Sequence, residues 1–278
     1  MKIVTESFAV PPDLQPYIGS FWYMLADGPA HETSPIQYCL ANAMVEMIVH
    51  LTPPFHHHGY IGGKYAQFPE AFVGGVHVGP VLFQMQGGTG IFGISIKPET
   101  FVTLFERPIG EMADSFAEAR SIFGDTLGDL IKRIQDAPSN ENRVQVAIEF
   151  FRQRAALRTR HDRFYFTEAM QYIRTSTGQH SVDEVCEKVF VGKRQLQRIF
   201  QENLGISPKT YVRIVRFRSA YDFVQRHPKT TWTEISHNFG YSDQSHFIRD
   251  FKEFTGKNPT SFLTGFAPQT STPLATKA

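Results

Sequence analysis

Basic and amide side chains cluster at two places near the C-terminal end of the chain, and their chemistry suits hydrogen bonding to the edges of nucleic-acid bases. The clusters comprise Lys193, Arg194, Gln195, Gln197 and Arg198, and then Gln244, Ser245, His246 and Arg249. Glutamine can form two hydrogen bonds with adenine, and arginine can do so with guanine. For any single residue a solvated helix face is the commoner explanation. The secondary structure that positions the clusters therefore decides between base contact and a solvated helix face.

Both clusters lie inside a repeated block. Five residues return after a constant interval of 51 positions: Arg198, Phe200, Glu202, Gly205 and Pro208 recur as Arg249, Phe251, Glu253, Gly256 and Pro259. A helix that ends at glycine with proline shortly after is a common helix end, and its repetition indicates two copies of one helical unit. Capping boxes at Ser181/Glu184 and Thr231/Glu234 begin a shorter helix upstream in each copy. This layout predicts two helix-turn-helix units, which place a recognition helix in a DNA groove.

The segment between the two units predicts a joining helix from Pro208 to about Arg226. Nineteen residues span roughly 28 Å at about 1.5 Å each, close to the roughly 34 Å between successive major-groove faces. We expect Ser242 to cap the second recognition helix and to contact phosphate. Arg213, Arg216 and Arg218 are further phosphate candidates, with solvated helix charge as the equal alternative.

Residues 163–264 resemble the DNA-binding domain of the AraC/XylS family of transcription regulators. The match is strongest from Ile235 through Gly240, Phe247 and Arg249 to Pro259. The resemblance implies a bacterial regulator, such as an activator, that binds double-stranded DNA and works with RNA polymerase. Two positions depart from the family pattern: Phe190 replaces the usual turn glycine, and Gly192 replaces the usual serine cap. A bulky residue suits a left-handed turn poorly, so the first unit is expected to read DNA less rigidly.

Charge and composition agree with this division of labour. Residues 1–160 carry a net charge of −4 and residues 161–278 a net charge of +5, and a basic region suits a polyanionic partner. Two cysteines in 278 residues do not make a disulfide framework, which favours a reducing cytoplasm. The first residues lack a signal-peptide core, and no run of about 18 apolar residues predicts a membrane span.

The N-terminal half predicts a β-rich fold. Short apolar runs near residues 21–25, 44–51, 71–75, 81–85 and 91–96 alternate with glycine and proline, which is typical of a barrel or sandwich. Helices are expected at 99–105, 124–135 and 140–157. The predicted fold class is α+β, with a barrel-like domain and helices over 1–158, an all-α DNA-binding domain over 159–266 and a disordered tail over 267–278. The polar, basic segment 155–162 is the linker candidate.

Parts of this half resemble a sensor-like domain that precedes such DNA-binding domains. The matching segments lie around Trp22, Val45, Gly90–Pro98 and Pro108. The resemblance implies a compact, cupin-like β-rich domain that binds a small-molecule effector or a second subunit. Glu46, Trp22 and Tyr38 are the effector candidates, although strand alternation favours solvent exposure of Glu46.

The third predicted helix of this half, at 140–157, also admits two partners. Its apolar face comprises Val144, Ala147, Ile148 and Phe151. It packs either on its own domain or against a second subunit in a homodimer.

Two motifs in this half suggest ligands that we do not expect. The run from Gly88 to Gly93 has the GxGxxG spacing, but a dinucleotide site needs a helix directly after it, and the next residues read as a strand. His56, His57 and His58, with His31, His50 and His77, could suggest a metal site. Consecutive histidines cannot all point one way on a strand, and an exposed loop is expected. Neither a metal nor a cofactor is predicted.

Three functions remain open on the sequence. The first is a regulator controlled by an effector or by dimerisation, and the second is an effector-independent DNA-binding protein whose N-terminal domain only oligomerises. The third is a DNA-repair enzyme with a borrowed DNA-binding domain, which needs an activated cysteine thiolate. Cys39 lies in an apolar segment and Cys186 at a helix-core position, so a non-enzymatic protein is expected.

Overall fold

The computed structural model describes residues 1–52, 58–61, 64–157, 164–260 and 262. The strands in this part of the chain are β1 Lys2–Phe8, β2 Ile18–Asp27, β3 Gln37–Cys39, β4 Val45–His50, β5 His58–Ile61, β6 Lys64–Gln67, β7 Ala71–Gly74, β8 Val81–Gln84, β9 Gly90–Ile96 and β10 Phe116–Glu118. The helices are α1 Pro98–Leu104, α2 Ala119–Phe123, α3 Asp125–Asp136, α4 Asn140–Ala156, α5 Phe164–Thr175, α6 Val182–Val189, α7 Lys193–Leu204, α8 Pro208–Arg226, α9 Trp232–Asn238 and α10 Gln244–Thr255.

The strands form two antiparallel sheets. The larger has the order β1-β2-β9-β4-β7-β10, and the smaller has the order β3-β8-β5-β6. All seven residues of β9 are buried, as expected for a strand with neighbours on both sides and packing on both faces. The predicted mixed fold with a β-rich N-terminal region is confirmed. In the described residues the strands form two open sheets, each with two edge strands, rather than one closed barrel.

The sequence patterns located the buried strands and missed several outer ones. β1 and β10 lie at the edges of the larger sheet, and β3 and β6 at the edges of the smaller one. β1 is exposed or half-buried throughout, so its residues show no apolar run. The GxGxxG segment turns at Gly88 and enters β9, as the expected turn between strands requires.

The apolar face of α4 packs inside this chain. Val144, Ala147, Ile148 and Phe151 are buried and belong to the main hydrophobic core. The idea that this face forms a subunit contact is therefore wrong for the structure described here, because its area is already covered. α4 begins with Ser139 as its cap and ends next to the undescribed residues 158–163, where most of the expected linker lies.

The C-terminal region is helical, and its two halves match in size. α7 and α10 each contain 12 residues, and α8 contains 19. Both recognition helices end at a glycine with positive φ, Gly205 at 71° and Gly256 at 73°, where an L side chain would be strained. The repeat found in the sequence is thus a repeat of helix length and of helix end.

A continuous hydrophobic core runs from the larger sheet through the N-terminal helices into the C-terminal helices. Within the described part of the chain, no helix is both long and apolar enough to span a bilayer. The predicted disordered tail at 267–278, together with His56 and His57, lies outside the described residues.

Candidate nucleic-acid interface and ligand cavity

The second recognition helix begins one residue later than the sequence suggested. Asp243, not Ser242, is the cap of α10, and its carboxylate accepts the backbone N–H of His246 at 2.7 Å. An acidic cap also complements the positive helix N-terminus. Ser242 instead contacts the carboxylate of Asp243 and Nδ1 of His246, at 3.3 and 3.2 Å. The capping box of Thr231 and Glu234 before it is present as predicted.

The faces of α10 separate into core and solvent. Phe247, Phe251 and Phe254 are fully buried, and they hold the helix against the rest of the unit. Gln244, Ser245 and Arg249 are exposed, whereas His246 is half-buried and packs edge-on against Tyr241 at 5.1 Å between ring centroids. Three of the four predicted base-reading side chains of this helix are therefore free to meet a groove, and His246 is held in the turn.

In the turn of the first unit, Phe190 adopts the left-handed backbone conformation. Phe190 ends α6 with φ 56° and ψ 39°, and 91% of its surface is exposed. Gly192 caps α7 without a side-chain hydrogen bond. The expected departures from the family pattern therefore have a structural counterpart, because Phe190 occupies the strained turn and gains no burial there.

The predicted base-reading residues of α7 all face solvent. Lys193, Arg194, Gln195, Gln197 and Arg198 are exposed around the buried Leu196 and Phe200. Lys193 pairs with Asp183 at 2.6 Å, and Arg198 approaches Glu202 at 3.8 Å. Exposed pairs of this kind are weak, so these side chains can exchange their partners for DNA.

The arginines of α8 differ from the expectation. Arg213 donates to Asp250 at 2.7 Å and to Glu253 at 2.5 Å, both on α10. Arg218 is only 2% exposed and lies 3.5 Å from Asp222. Both side chains bind within the protein, so the structure does not place them to contact a phosphate.

Arg216 joins the two helix-turn-helix units. Its Nε donates to the carbonyl oxygen of Gly178 at 2.8 Å, and its guanidinium lies 5.4 Å from the ring centre of Tyr241. Gly178 precedes the first unit and Tyr241 lies in the turn of the second. The half-buried Arg216 therefore fixes the relative position of the units, and its predicted phosphate contact stays a prediction.

A cavity of about 130 Å³ lies between the two sheets. Its walls include Trp22, Glu46, Phe68, Phe72, His77 and Phe83. Two of the predicted effector residues, Trp22 and Glu46, are thus brought together. The third, Tyr38, is not a wall residue.

Tyr38 instead contacts the C-terminal region. Its ring centre lies 6.4 Å from that of Phe262, and the Nζ of Lys257 lies 4.8 Å from it. The structure therefore places Tyr38 outside the cavity wall, apart from the other two predicted effector residues. The pattern of the sequence could not separate the two cases, because Tyr38 and the cavity residue Cys39 are neighbours on one short strand.

Glu46 is buried rather than exposed, which reverses the expectation from strand alternation. Its carboxylate accepts hydrogen bonds from Asn42 Nδ2 at 2.7 Å, Trp22 Nε1 at 3.2 Å and Ser95 Oγ at 2.8 and 2.9 Å. Burial raises the pKa of Glu46 to about 7, and the three donors oppose that shift. Alternation failed because β4 is covered on both faces.

Two strand glycines make room for the cavity walls. A Cβ on Gly93 would lie 2.0 Å from the indole of Trp22, and one on Gly74 would lie 3.1 Å from Nε2 of His77. Each ring therefore lies directly over a glycine of the neighbouring backbone. Burial lowers the pKa of His77 to about 4, so its imidazole is neutral near pH 7.

The two cysteines have environments that disfavour thiolates. Burial raises the pKa of Cys39 to about 12 and also raises that of Cys186. A thiolate nucleophile needs a lowered pKa, so neither side chain suits alkyl transfer. Among the residues that the structure describes, no three His, Cys, Asp or Glu side chains are arranged to hold a metal ion.

The N-terminal region contacts the C-terminal helices through buried polar groups. Arg174 of α5 forms a two-pronged ion pair with Glu99 of α1, one of whose bonds measures 2.8 Å. Tyr211 of α8 lies 3.4 Å from Arg174. At the first unit, the backbone N–H of Ile109 donates to the carbonyl oxygen of Asn203 at 2.9 Å. The two regions are therefore held together by specific bonds as well as by apolar packing.

Comparison with known proteins assigns both regions to domain families. Residues 185–265 match the family described as helix-turn-helix domain, and residues 6–118 match one described as domain of unknown function (DUF6597). The C-terminal region is therefore a helix-turn-helix domain. The segment that resembles AraC-type DNA-binding domains in sequence includes most of these residues.

The relatives share mainly this domain. The Msm operon regulatory protein of Streptococcus mutans is 28% identical over 99 residues, covering 35% of each chain. The lactose operon transcription activator of Staphylococcus xylosus is 32% identical over 84 residues, 30% of each chain. The arabinose operon regulatory protein of Escherichia coli is 31% identical over 102 residues, 35% of this chain and 34% of that protein. The chain thus spans about a third of the length of these relatives, which are named as regulators rather than as enzymes.

Among solved structures, ToxT of Vibrio cholerae is similar to this chain with a TM-score of 0.47. The identity is 11%, and the match covers 88% of this chain and 97% of ToxT.

Proposed function

We propose that the chain is a transcription regulator that places α7 and α10 in two successive major grooves of double-stranded DNA. The observation that carries the proposal is the pair of 12-residue helices with solvent-facing arginine and glutamine side chains, joined by the 19-residue α8. Arg194, Arg198, Gln244 and Arg249 have the donors that major-groove base edges accept. The regulator names of the relatives support the same reading.

We further propose that the N-terminal domain responds to a small molecule in the cavity between the sheets. The cavity contains a buried carboxylate, an imidazole and aromatic walls, a combination typical of ligand sites. The wall residue Glu46 lies three residues after Ala43, whose carbonyl oxygen accepts a hydrogen bond from Tyr211 of α8. This segment gives a route from the cavity to the helices that we propose bind DNA. A regulator that acts as an activator also requires contact with RNA polymerase, a partner that the activator name of one relative supports.

The test is enrichment of genomic DNA fragments by the purified full-length protein at about 0.15 M salt, where non-specific contacts are weakened. The proposal expects one motif with two half-sites about one helical turn apart. The same experiment with Arg249→Ala should lose preference at one base position and keep the other half-site. Enrichment without any motif, in the presence and absence of candidate ligands, would rule out sequence-specific regulation.

A further inference from the structure

We infer that the cavity between the two sheets binds a small amine, about the size of one ring, with its ammonium group against Glu46 and its apolar part against the aromatic walls. The inference rests on the proposed function, because it names the chemical class of the effector for the same cavity.

The size of the cavity limits the ligand. An engineered protein cavity of about 150 Å³ holds one benzene molecule, and the cavity here measures about 130 Å³. Trp22, Phe68, Phe72 and Phe83 supply apolar walls. Phe68 and Phe72 stack with ring centres 4.8 Å apart. These walls suit a single ring or a short branched alkyl chain, and aromatic faces also attract a nearby cation.

The charged residues in the cavity walls favour a ligand with a positive charge. The described wall residues include two carboxylates, Glu6 and Glu46, and no lysine or arginine. Glu6 and its neighbours Thr5 and Ser7 are exposed on β1, so this strand forms the mouth of the cavity. A cation therefore meets one carboxylate at the entrance and a second one inside, whereas a carboxylate ligand is repelled by both.

Glu46 is held ready for one more donor. Its three present donors, on Trp22, Asn42 and Ser95, are neutral groups that orient the carboxylate without cancelling its charge. A carboxylate has about four acceptor sites, so three hydrogens leave capacity for one. Arg218 acts on Glu46 through space, but its own guanidinium pairs with Asp222. A charge-assisted bond from a ligand ammonium would complete the shell of Glu46.

His77 gives a second, independent indication of a ligand. It is 6% exposed, and its Nδ1 has no hydrogen-bond partner among the residues described. A buried polar atom without a partner costs free energy. His77 lies over Gly74, which pairs with Glu46 across β4 and β7. Paired residues share one face of a sheet, so the imidazole and the carboxylate border the same space, and a neutral imidazole can accept from the ammonium group.

The experiment uses the full chain and three probes of nearly equal shape: benzylamine, benzyl alcohol and benzoate. Calorimetric titration at about pH 7.5 measures each dissociation constant. We expect benzylamine to bind at or below about 1 mM, and the alcohol and benzoate to bind at least about tenfold more weakly, a difference of about 1.4 kcal/mol. Equal binding of the three probes, tighter binding of benzoate, or no binding of benzylamine would each overturn the inference.

Two variants locate the ammonium group. Glu46→Gln should weaken benzylamine binding at least about tenfold, while the matched change Glu111→Gln, at an exposed carboxylate that is not a wall residue of the cavity, should alter it about twofold or less. An unchanged affinity in Glu46→Gln places the amine elsewhere and contradicts the inference. The comparison of the three probes on the natural chain decides the question even where Glu46→Gln does not fold.

DNA binding is measured on the same samples to separate the two proposals. Charge-selective amine binding without sequence-specific DNA binding leaves the cavity assignment standing and removes the regulator. Sequence-specific DNA binding without amine binding supports the regulator and overturns the amine site.

Discussion

The hydroxyl group of Tyr211 donates a hydrogen bond to the carbonyl oxygen of Ala43 at 3.3 Å. Tyr211 belongs to α8, the helix that joins the two helix-turn-helix units, and Ala43 lies three residues before the cavity residue Glu46. Asn42, next to Ala43, donates to Glu46 at 2.7 Å. A change at the carboxylate is therefore two hydrogen bonds away from the helix that sets the spacing of the recognition helices.

Tyr211→Phe tests this connection. The change removes one hydroxyl, so we expect a stability loss of about 1 kcal/mol and an unchanged affinity for a cavity ligand. The ligand-induced change in DNA affinity should shrink, because the bond that links the two regions is lost. Fluorescence anisotropy with labelled operator DNA, with and without ligand, measures it. A full ligand response in this variant would show that coupling takes another route.

The ion pair between Arg174 and Glu99 should be a major contributor to the contact between the two regions. Both side chains are largely buried, with 15% and 6% exposed. Glu99→Gln leaves a buried guanidinium without its carboxylate, and we expect a loss of about 3–5 kcal/mol of unfolding free energy. Urea unfolding followed by circular dichroism gives the value.

The exposed pair of Arg152 and Asp13, at 2.7 Å, supplies the matched control. Asp13→Asn should leave the urea midpoint unchanged, because water already solvates both groups. Similar losses in Asp13→Asn and Glu99→Gln would mean that burial does not govern the strength of these ion pairs.

Phe190 should be a destabilising residue. It holds a left-handed conformation with 91% of its surface exposed, so it bears the conformational cost without gaining apolar burial. Phe190→Gly should stabilise the protein by about 1–2 kcal/mol, which corresponds to a few degrees in the melting temperature. Phe190→Ala keeps a Cβ and should change little. Equal effects of the two substitutions would place the cost outside the backbone conformation.

Arg249 and Arg213 separate DNA reading from structure. Arg249→Ala should cost roughly 1–3 kcal/mol of specific binding and relax preference at one base position, with unfolding free energy unchanged. Arg213→Ala leaves Asp250 buried without its cation and should cost about 3 kcal/mol of stability. Competition binding on specific and random DNA, beside urea unfolding, distinguishes them. Equal loss on both DNAs from Arg249→Ala contradicts base reading.

Prediction from the sequence succeeded where the role of a residue depends only on its neighbours in the chain. The helix ends at Gly205 and Gly256 and the capping boxes depend on neighbours within a few positions, and the apolar period of α7 and α10 fixes which face is free. The roles of Arg213 and Tyr38 depend on partners 37 and 224 positions away, and the role of Arg218 depends on its burial. No local pattern carries that information, because a basic residue on a helix looks the same whether it meets phosphate or Asp250.

The cavity could be predicted from the sequence only in part, for a similar reason. The residues Gly74 and Gly93 read as ordinary strand glycines, and their meaning emerges only from the rings of His77 and Trp22 that lie over them. The burial of Glu46 likewise follows from the second sheet, whose strands β3, β5 and β6 carry no strong apolar signal. A charged residue inside an otherwise apolar strand drew attention to Glu46, and the structure places Glu46 in the wall of the cavity.

Stability should depend on pH through Glu46. Its pKa is about 7 in the folded protein against an ordinary value of 4.5, so between these values the folded state holds a proton that the unfolded chain has lost. Stability from this group therefore falls as pH rises from about 4.5 to 7, by up to about 3 kcal/mol. Glu46→Gln cannot titrate, so its stability advantage over the natural chain should grow across that range.

The groups that face Glu46 do not produce this dependence. Asn42, Trp22 and Ser95 are neutral, and Cys39 has a pKa of about 12. Burial lowers the pKa of His50 and His77, so their contribution to stability rises with pH, opposite in sign to that of Glu46. Both proteins carry these histidines, so this contribution cancels in the difference between them. The charge of Arg218 is constant over the range. Urea unfolding of both proteins at pH 5, 6, 7 and 8 gives the difference curve. A flat difference would mean that Glu46 has an ordinary pKa and that the cavity presents a full negative charge at every pH tested.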